Sequence, residues 1–299
     1  MTLKRILRAC LCLTLLTLGS VSGALAAGTY FYYDLGVLSG GTFSAPNGSQ
    51  AINSYGTVTG YADISSGDTR AFSISFPYTS MTNLGMLTGY NRAWGNAINN
   101  SGVVVGAVDS GDNTQTQAFL YNGTWNGLGY VSGATNSAAF GINSSGTAVK
   151  VVGDSGTSSW GHAFMYDVNT STMTDLHPTS GYTASSARAV NNSGTVVGSL
   201  DAGAGIRASY YNGTWNDLGT TTNSLAMGIN AGGNMVGFME DGSGNNNAFL
   251  YNGTLNNLNG LIPGATGSVA FGINTKGHTA GCPRYQAVWP LVSIPPAWW

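Results

Sequence analysis

Charged side chains are scarce in this 299-residue sequence. Only 7% of its residues are Asp, Glu, Lys or Arg, against roughly 25% in ordinary globular proteins. No Lys/Arg cluster occurs after the first few residues. Proteins that bind nucleic acid or an anionic membrane surface use such clusters to attract phosphate groups. The sequence therefore argues against both of these partners.

Histidine, glutamate and cysteine are also rare. The chain has three histidines, one glutamate (Glu240) and no Gly-x-Ser-x-Gly motif. Groups that commonly act as a general base or an activated nucleophile are thus few. Cys282 is the only cysteine beyond the N-terminal segment, which excludes an internal disulfide and a Cys/His zinc motif there. We expect no enzymatic activity and identify no catalytic residue.

Long hydrophobic stretches are absent except at the N-terminus. A basic start ending at Arg8 precedes an apolar run over 11–18 and the small residues of Ala24-Leu25-Ala26. This pattern predicts a signal peptide over 1–26, with cleavage after Ala26 or Ala27. The apolar run is short for a membrane span. We therefore expect a secreted, cell-surface or periplasmic protein with no stable membrane span after cleavage. Its seven basic and twelve acidic residues would leave a net charge of −5.

What the sequence has in abundance is an internal repeat. The unit Ala97-Ile98-Asn99-Asn100-Ser101-Gly102-Val103-Val104-Val105-Gly106 recurs in six versions. Its aliphatic position falls at 52, 98, 142, 190, 229 and 273, with steps of 46, 44, 48, 39 and 44. A period near 44 is typical of a repeat architecture in which each repeat is one supersecondary unit.

Each repeat contains four short strand signals. In the second repeat, the first lies in the Ala-x-x-Ile-Asn segment, and the others lie at 103–106, 118–121 and 124–128. Gly106 predicts a close approach of two backbones at the end of the second strand. Asn122-Gly123, between the last two strands, is typical of a two-residue type I′ hairpin in which the glycine takes φ > 0.

Four antiparallel strands in about 44 residues, six times over, predict an all-β fold. We expect a single six-bladed β-propeller of four-stranded antiparallel blades. The sixth repeat has a third strand signal at 285–289 but no clear fourth, and 30–35 resembles an orphan fourth strand. We therefore expect this N-terminal strand to close the last blade and cover two sheet edges. A β-solenoid is the alternative, although it needs no hairpin turns.

These patterns divide the chain into three parts: a signal peptide at 1–26, a propeller at 27–289 and a C-terminal tail at 290–299. The six repeats span about 34–82, 83–126, 127–174, 175–216, 217–256, and 257–289 together with 30–35.

The order of the repeated motifs is that of a known family. Ala-x-x-Ile-Asn-x-x-Gly-x-Val-Val-Gly, then His-Ala-Phe-hydrophobic-Tyr and then Asp-Leu-Gly resembles the HAF-repeat family of bacterial extracellular proteins. Only His162-Ala163-Phe164 is the full eponymous triplet, and the resemblance covers roughly 30–289. It implies an exported, propeller-like protein, and it brings no established activity and no catalytic residues. The Pro-Glu-Pro sorting signal on which many relatives end does not occur at 290–299.

Acidic residues recur at one place in the repeat. Asp63, Asp109, Asp201 and Glu240 each stand three positions after the glycine of a second strand. Loops that follow equivalent strands open on one face of a propeller, so we expect an acidic ring there. Carboxylates with neighbouring Asn oxygens suit a hard cation such as Ca²⁺, whereas Asx turns within each loop are the alternative. The candidate calcium ligands are Asp109, Asp112, Glu240 and Asp241. No other cofactor is expected.

Aromatic residues fall into two groups. Those at the repeat period, such as Tyr121 and Trp125, are expected in the core between blades. Those outside the register are expected in segments that link the repeats, where they could stack on a ligand. These candidates are Tyr90, Trp94, Tyr130 and Tyr182.

Taken together, the sequence predicts an exported binding or interaction module, monomeric, at or outside the cell surface, whose ligand is a glycan or a protein. The alternative is a propeller hydrolase or lyase with a site in the central channel, assembled only on folding.

Overall fold

The computed structural model describes residues 33–112, 114–144, 148–157, 161–220 and 223–285. These residues form 22 β-strands and one 3₁₀ turn at Asn259–Leu261. The strands make five four-stranded sheets and one two-stranded sheet, and every strand pairs antiparallel with its neighbour in sequence. This meander of hairpins confirms the all-β prediction and disagrees with a parallel solenoid. Within the described part of the chain, no helix is long and apolar enough to cross a membrane.

The first sheet contains β1 (Ser44–Pro46), β2 (Val58–Asp63), β3 (Thr69–Ile74) and β4 (Thr82–Asn83). The second contains β5 (Arg92–Ile98), β6 (Val104–Asp109), β7 (Thr116–Tyr121) and β8 (Trp125–Gly129). The third contains β9 (Asn136–Ile142), β10 (Lys150–Gly156), β11 (His162–Asp167) and β12 (Thr172–Asp175). The fourth contains β13 (Ala184–Val190), β14 (Val196–Asp201), β15 (Ile206–Tyr211) and β16 (Trp215–Asp217). The fifth contains β17 (Ser224–Ile229), β18 (Met235–Glu240), β19 (Asn246–Tyr251) and β20 (Leu255–Asn257). The sixth contains β21 (Ala265–Ile273) and β22 (Thr279–Tyr285).

The sheets are the blades of a β-propeller. The first strand of each sheet packs against the second and third strands of the preceding sheet, and the first strands of neighbouring sheets contact one another around a common axis. In the first sheet, the innermost segment continues beyond β1 to Gln50, which forms a parallel bridge with Ala97. The sixth blade lies beside the first, which completes the ring. Gly272 of the sixth blade lies so close to Ser49 of the first that a Cβ on this glycine would be 3.3 Å from the Ser49 carbonyl oxygen.

The sixth blade departs from the predicted strand positions. Tyr285 ends the second strand rather than beginning a third, because β21 and β22 extend further from their turn than the repeat signals indicate. Residues 286–289 and 30–32 lie outside the described residues, so the pairing that would close the ring stays a prediction.

The N-terminal end of the described chain nevertheless has the local structure that ends a fourth strand. The Gly36 N–H donates to Asp34 Oδ1 at 2.9 Å, as the Gly219 N–H donates to Asp217 Oδ1 at 2.8 Å. Leu35 packs on the core of the first sheet. The fourth-strand leucines pack in the same way on the following sheet: Leu84 on the second, Leu128 on the third and Leu176 on the fourth.

The propeller has two distinct faces, because its antiparallel strands alternate in direction. The connector face carries the segments between blades and the loops between second and third strands. These lie side by side, as shown by the bond from the Thr183 N–H to the Asp201 carbonyl at 2.7 Å. The turn face carries the Asn-x-x-Gly turns and the Asn-Gly hairpins.

The core lies between the blades. The largest fully buried side chains include the third-strand phenylalanines Phe72, Phe119, Phe164 and Phe249. The repeated tyrosines and tryptophans pack around this core, as predicted. Two tryptophans also join blades through hydrogen bonds. Trp125 Nε1 donates to the Leu84 carbonyl at 2.8 Å, and Trp215 Nε1 donates to the Leu176 carbonyl at 2.6 Å.

The Asn-Gly hairpins differ from the predicted type. Gly123, Gly213 and Gly253 have φ of 97°, 111° and 95°, as predicted. The preceding asparagines are not among the non-glycine residues of positive φ in the described chain, and Tyr121 pairs with Trp125 across the turn. The loop therefore has three residues, Asn-Gly-Thr, and the two-residue type I′ prediction is wrong. Within this loop, the asparagine N–H donates a hydrogen bond to the threonine carbonyl.

The asparagine of each Ile/Val-Asn motif forms a ladder around the turn face. Its side-chain nitrogen donates to the carbonyl of the corresponding asparagine in the next blade, over distances of 3.0 to 3.4 Å. The ladder runs through Asn53, Asn99, Asn143, Asn191, Asn230 and Asn274. Each side-chain oxygen meanwhile accepts bonds from N–H groups of its own turn, such as those of Ser101 and Val103 at Asn99. One residue type thus closes the turn and joins the blades.

Candidate functional site

A β-bulge in the innermost strands sets the positions of the axial side chains. The pairing of each first strand with its second strand shifts by one residue opposite the second-strand glycine. The extra residues are Asn96, Phe140, Arg188, Met227 and Phe271. Gln50 holds the same position in the first repeat, directly before Ala51-Ile52-Asn53. Bulges commonly redirect a side chain at a functional site.

The second-strand glycines make room for these bulges. A Cβ at Gly198 would lie 1.8 Å from the Ser186 carbonyl oxygen, and one at Gly106 would lie 1.9 Å from that of Trp94. No other residue fits there. The predicted close approach of backbones is therefore confirmed. The glycine stands in the middle of the second strand, however, and not at its end, since β6 and β14 continue for three residues beyond it.

Three bulge side chains reach neighbouring blades. Gln50 lies across the axis, where its Oε1 accepts a bond from the Ile142 N–H at 3.0 Å. Asn96 Nδ2 donates to the Ala139 carbonyl at 2.8 Å. Arg188 pairs with Asp154 of the third blade at 3.4 Å. Arg188 is the only ionisable residue at the six bulge positions.

Arg188 lines a cleft of about 260 Å³ between the third, fourth and fifth blades, on the connector face. We call it the 3–5 cleft. It is lined by Asp154, Gly161, Ser185, Ser186, Arg188, Ser199, Ile206, Asn223, Ser224, Leu225, Phe238, Glu240 and Asn246. Hydroxyl and amide groups thus surround three ionisable side chains and three apolar ones. A concave site with a few convergent polar groups is the usual form of a small-ligand site.

The Arg188–Asp154 pair dominates the electrostatics of the cleft. Asp154 accepts bonds from the Ala187 N–H at 2.9 Å and from Ser186 Oγ at 3.0 Å. Withdrawal from solvent raises the pKa of Asp154, against the opposing effects of the Arg188 charge and of these two bonds. Arg188 also stacks on Phe140, with its guanidinium carbon 4.3 Å from the ring centre. Its Nε is buried and has no hydrogen-bond partner among the described residues.

Glu240 brings a second carboxylate to the cleft. Asn223 Nδ2 donates to Glu240 Oε2 at 3.1 Å, and the Glu240 N–H donates to the Asn223 carbonyl at 3.3 Å. Glu240 is the only one of the four predicted calcium ligands that lines the cleft.

The predicted acidic residues lie on one face but do not gather into a cation site. Asp63, Asp109, Asp201 and Glu240 are the last residues of second strands rather than loop residues. Among the described residues, no group of three or more His, Cys, Asp or Glu side chains is placed to hold a metal.

The four candidate calcium ligands have other partners. Asp109 is buried and pairs with Arg92 at 2.6 Å. Asp112 accepts bonds from Ser110 and Thr114 of its own loop, which lower its pKa to about 2. Asp241 accepts N–H bonds from its own loop, and these lower its pKa. Calcium binding stays a prediction, and a cation would have to displace an arginine and several loop amides.

The aromatic candidates are only partly brought together. The Tyr90 hydroxyl lies 3.5 Å from that of Tyr130 and 3.3 Å from Gln117 Oε1. Burial raises the pKa of Tyr130, as does the bond with Tyr90. Tyr182 lies apart from both, in the segment that links the third and fourth blades, and it is exposed. Trp94 lies inside β5 and not in a linking segment, because the first strand begins six residues before its isoleucine.

Ser185, His177 and Asp175 superficially suggest a catalytic triad. His177 Nδ1 lies 3.0 Å from Ser185 Oγ, and the His177 ring stacks on His162, which bonds Asp175 at 2.7 Å. Ser185 Oγ, however, also accepts the Ala163 N–H at 2.8 Å. The corresponding serines accept the equivalent alanine N–H groups of other blades: Ser137 from Ala118, Ser224 from Ala208 and Ser268 from Ala248. The serine therefore links blades in the fold.

A second cavity, of about 190 Å³, lies on the axis at the turn face. Gln50 and five isoleucines line it, together with Asn and Ser residues. The described residues that line it include no ionisable side chain, so this lining supplies no general acid or base for a reaction in the channel.

Comparisons with known proteins give likeness of fold only. No family model and no curated protein matches the chain, and the resemblance to HAF-repeat proteins stays a prediction. Among solved structures, TolB from Acinetobacter baumannii is 11% identical with a TM-score of 0.44, covering 76% of this chain and 51% of its own. This chain thus spans about half the length of that protein.

Two other solved structures show similar likeness. The Aleuria aurantia lectin in complex with Fucα1-6GlcNAc is 13% identical with a TM-score of 0.40, covering 77% of this chain and 85% of its own. The acylaminoacyl peptidase of Pyrococcus horikoshii is 14% identical with a TM-score of 0.36, covering 68% and 33%. Likenesses this weak carry no information about the function of this chain.

Sequence reasoning missed Arg188 as a site residue. A signal for it was present: Arg188 stands directly before the Ala189-Val190-Asn191 motif, where the other repeats carry Gln, Asn, Phe, Met and Phe. A position that varies while its neighbours repeat is not fixed by the requirements of the fold, and it is therefore free to serve a function. The bulge that directs this position out of the sheet is not visible in the sequence.

Proposed function

We propose that the protein is an exported binding module that takes its ligand into the 3–5 cleft. One observation carries this proposal: a cleft of about 260 Å³ brings together Asp154, Arg188 and Glu240 from three blades, among hydroxyl and amide groups. Charged groups that converge in a concave site can bind and orient a ligand.

The surroundings of the cleft support recognition rather than catalysis. Its ionisable groups are Arg188, Asp154 and Glu240, and Arg188 and Asp154 are engaged with each other. The cleft opens on the connector face, where loops vary in length and sequence between repeats. Rigid scaffolds commonly present binding residues on such loops.

The place of action is at or outside the cell surface. The basic, apolar and small-residue pattern of 1–26 supports export, and this is also what the resemblance to HAF-repeat proteins implies. When the protein is produced in an exporting bacterial host, we expect it beyond the cytoplasmic membrane with a mature N-terminus at Ala27 or Gly28. Intact Met1 on the exported protein, measured by mass spectrometry, would contradict the signal peptide.

Ligand capture tests the binding role. The purified protein is screened on a glycan array and against solubilised cell-surface proteins, in parallel with Glu240→Gln in the cleft and with Arg70→Lys as a control. Arg70 lies on the first blade and bonds the Asn91 carbonyl. We expect a glycan or protein that the parent and the control retain and the cleft variant loses. Equal retention by all three would place binding elsewhere, and no retention at all would contradict a binding role.

A further inference from the structure

We infer that the ligand of the 3–5 cleft is a neutral sugar ring, bound through hydroxyl groups to Arg188 and Glu240. This inference rests on the proposed function and specifies its ligand class. It follows from four properties of the cleft: a fixed arginine donor, the sign of the charge, the chemistry of the lining and the volume.

Arg188 is a fixed donor that favours an oxygen acceptor on the ligand. Asp154 holds the Nη2 edge of Arg188, and Phe140 covers one face of the guanidinium group. The side chain is therefore held in place, and 29% of its surface remains exposed. Arginine has donors only, so an ammonium ligand cannot satisfy this group, whereas a hydroxyl oxygen can.

The charge of the cleft disfavours an anion. Two carboxylates, Asp154 and Glu240, face one guanidinium group, so the formal charge of the described lining is −1. A carboxylate or phosphate ligand would gain from Arg188 but would meet the surplus negative charge. Glu240, as a carboxylate, accepts hydrogen bonds and therefore favours a ligand that also donates. A hydroxyl group both donates and accepts, which suits both residues.

The remaining lining and the volume fit a single pyranose or furanose ring. Ser186, Ser199, Asn223 and Asn246 provide hydroxyl and amide groups for further hydroxyls. The apolar side chains, which can contact the C–H faces of a ring, are Ile206, Leu225 and Phe238. At about 260 Å³, the cleft is just below the range of roughly 300–1,000 Å³ that holds drug-sized ligands.

Calorimetric titration and saturation-transfer NMR with free sugars test this inference. The panel consists of glucose, galactose, mannose, fucose and N-acetylglucosamine, together with glucuronic and galacturonic acids. We expect at least one neutral sugar to bind, and both uronic acids to bind about tenfold more weakly than that sugar. Arg188→Lys replaces the fixed guanidinium group by a flexible ammonium group and should weaken binding of the neutral sugar about tenfold, whereas Arg70→Lys should leave it unchanged.

Glu240→Gln keeps the inference testable if Arg188→Lys does not fold. This variant removes one negative charge, so it should weaken the neutral sugar and narrow its advantage over the uronic acids. If the cleft captures a protein or peptide while every sugar fails, the sugar inference is wrong and the binding role stands. If the parent captures nothing in either screen, both fail. Sugar binding that neither cleft variant changes would also overturn the inference.

Discussion

One asparagine in each blade performs two structural tasks. The Asn99 side chain accepts N–H bonds from Ser101 and Val103 in its own turn and donates to the Asn143 carbonyl in the next blade. Because Asn99 is 2% exposed, water cannot replace these bonds at low cost. This explains why the repeat keeps Asn at this position when Asp or Gly would also suit the turn alone.

Replacing Asn99 should therefore weaken the whole protein. We expect Asn99→Ala to lower the free energy of unfolding by about 1–3 kcal/mol, since several buried groups lose their partners. Asn99→Asp keeps the acceptor and loses the donor, so it separates the turn from the inter-blade bond. Asn126→Ala is the matched control, because Asn126 is exposed and its side chain donates to the carbonyl of Thr124 in its own hairpin. Equal denaturant midpoints for Asn99→Ala and the control would contradict the dual role.

His177 gives the connector face a pH dependence. Partial burial lowers its pKa, and so does the charge of the stacked His162, while Asp175 acts in the opposite direction. The folded state therefore favours neutral His177. Its contribution to stability is full above the unfolded pKa of about 6.5 and is lost as the pH falls through the lower, folded value.

An NMR titration of the His177 ring should give a midpoint below about 6.5. His162→Gln removes the neighbouring positive charge and should raise that midpoint. His177→Asn should flatten the fall in unfolding free energy that accompanies acidification from about pH 7 to pH 5. A midpoint above that of a free histidine would show that Asp175 outweighs burial, contrary to the structure.

At the scale of the element, hairpin glycines hold the outer strands together. Gly213 has φ of 111°, and a Cβ there would meet nothing within 4 Å. Any cost of Gly213→Ala is thus a backbone cost, about 1–2 kcal/mol. Gly242 also has open space around it but no positive φ. Gly242→Ala makes the same chemical change and should be neutral or stabilising by up to about 1 kcal/mol. Thermal unfolding of the two variants measures the difference, and equal melting temperatures would contradict the turn geometry.

The sequence predicted the strands better than it predicted their ends. The four-strand unit, the positive φ of the hairpin glycines and the repeated aromatic core followed from local chemistry, namely turn residues and alternating apolar positions. The three-residue Asn-Gly-Thr loop and the lengths of β5 and β6 did not, because register is set by pairing across strands. The 3–5 cleft was also out of reach, since Asp154, Arg188 and Glu240 come from three different blades.

At the scale of the whole molecule, we expect the stability of the propeller to depend on the contact between the sixth and first blades. Nine of the ten exposed large hydrophobic residues in the described part of the chain belong to the first and sixth repeats. They are Tyr33, Val37, Phe43, Ile52, Tyr55, Phe76, Leu261, Phe271 and Tyr285. An N-terminal strand that completes the last blade would bring further chain to this region and cover exposed strand edges.

Leu35 offers a point test of ring closure. It is partly buried against the core of the first blade, so Leu35→Ala should cost about 2 kcal/mol, the low end of the range for core leucines. Val37 is 45% exposed, and Val37→Ala should cost little. Deleting 28–35 should lower the melting temperature further than Leu35→Ala, because it also removes the strand. An unchanged melting temperature after the deletion would rule out closure by this segment.

The bulge has a consequence for how such a protein can diversify. The inserted residue stands outside the hydrogen-bonded ladder, whose register is maintained by the flanking positions and by the facing glycine. At Phe140, Met227 and Phe271 the bulge side chain makes no hydrogen bond to another blade, so these three residues can change without a change of strand register. We expect a library randomised at these three positions to vary the side chains near the axis while the blades keep their pairing.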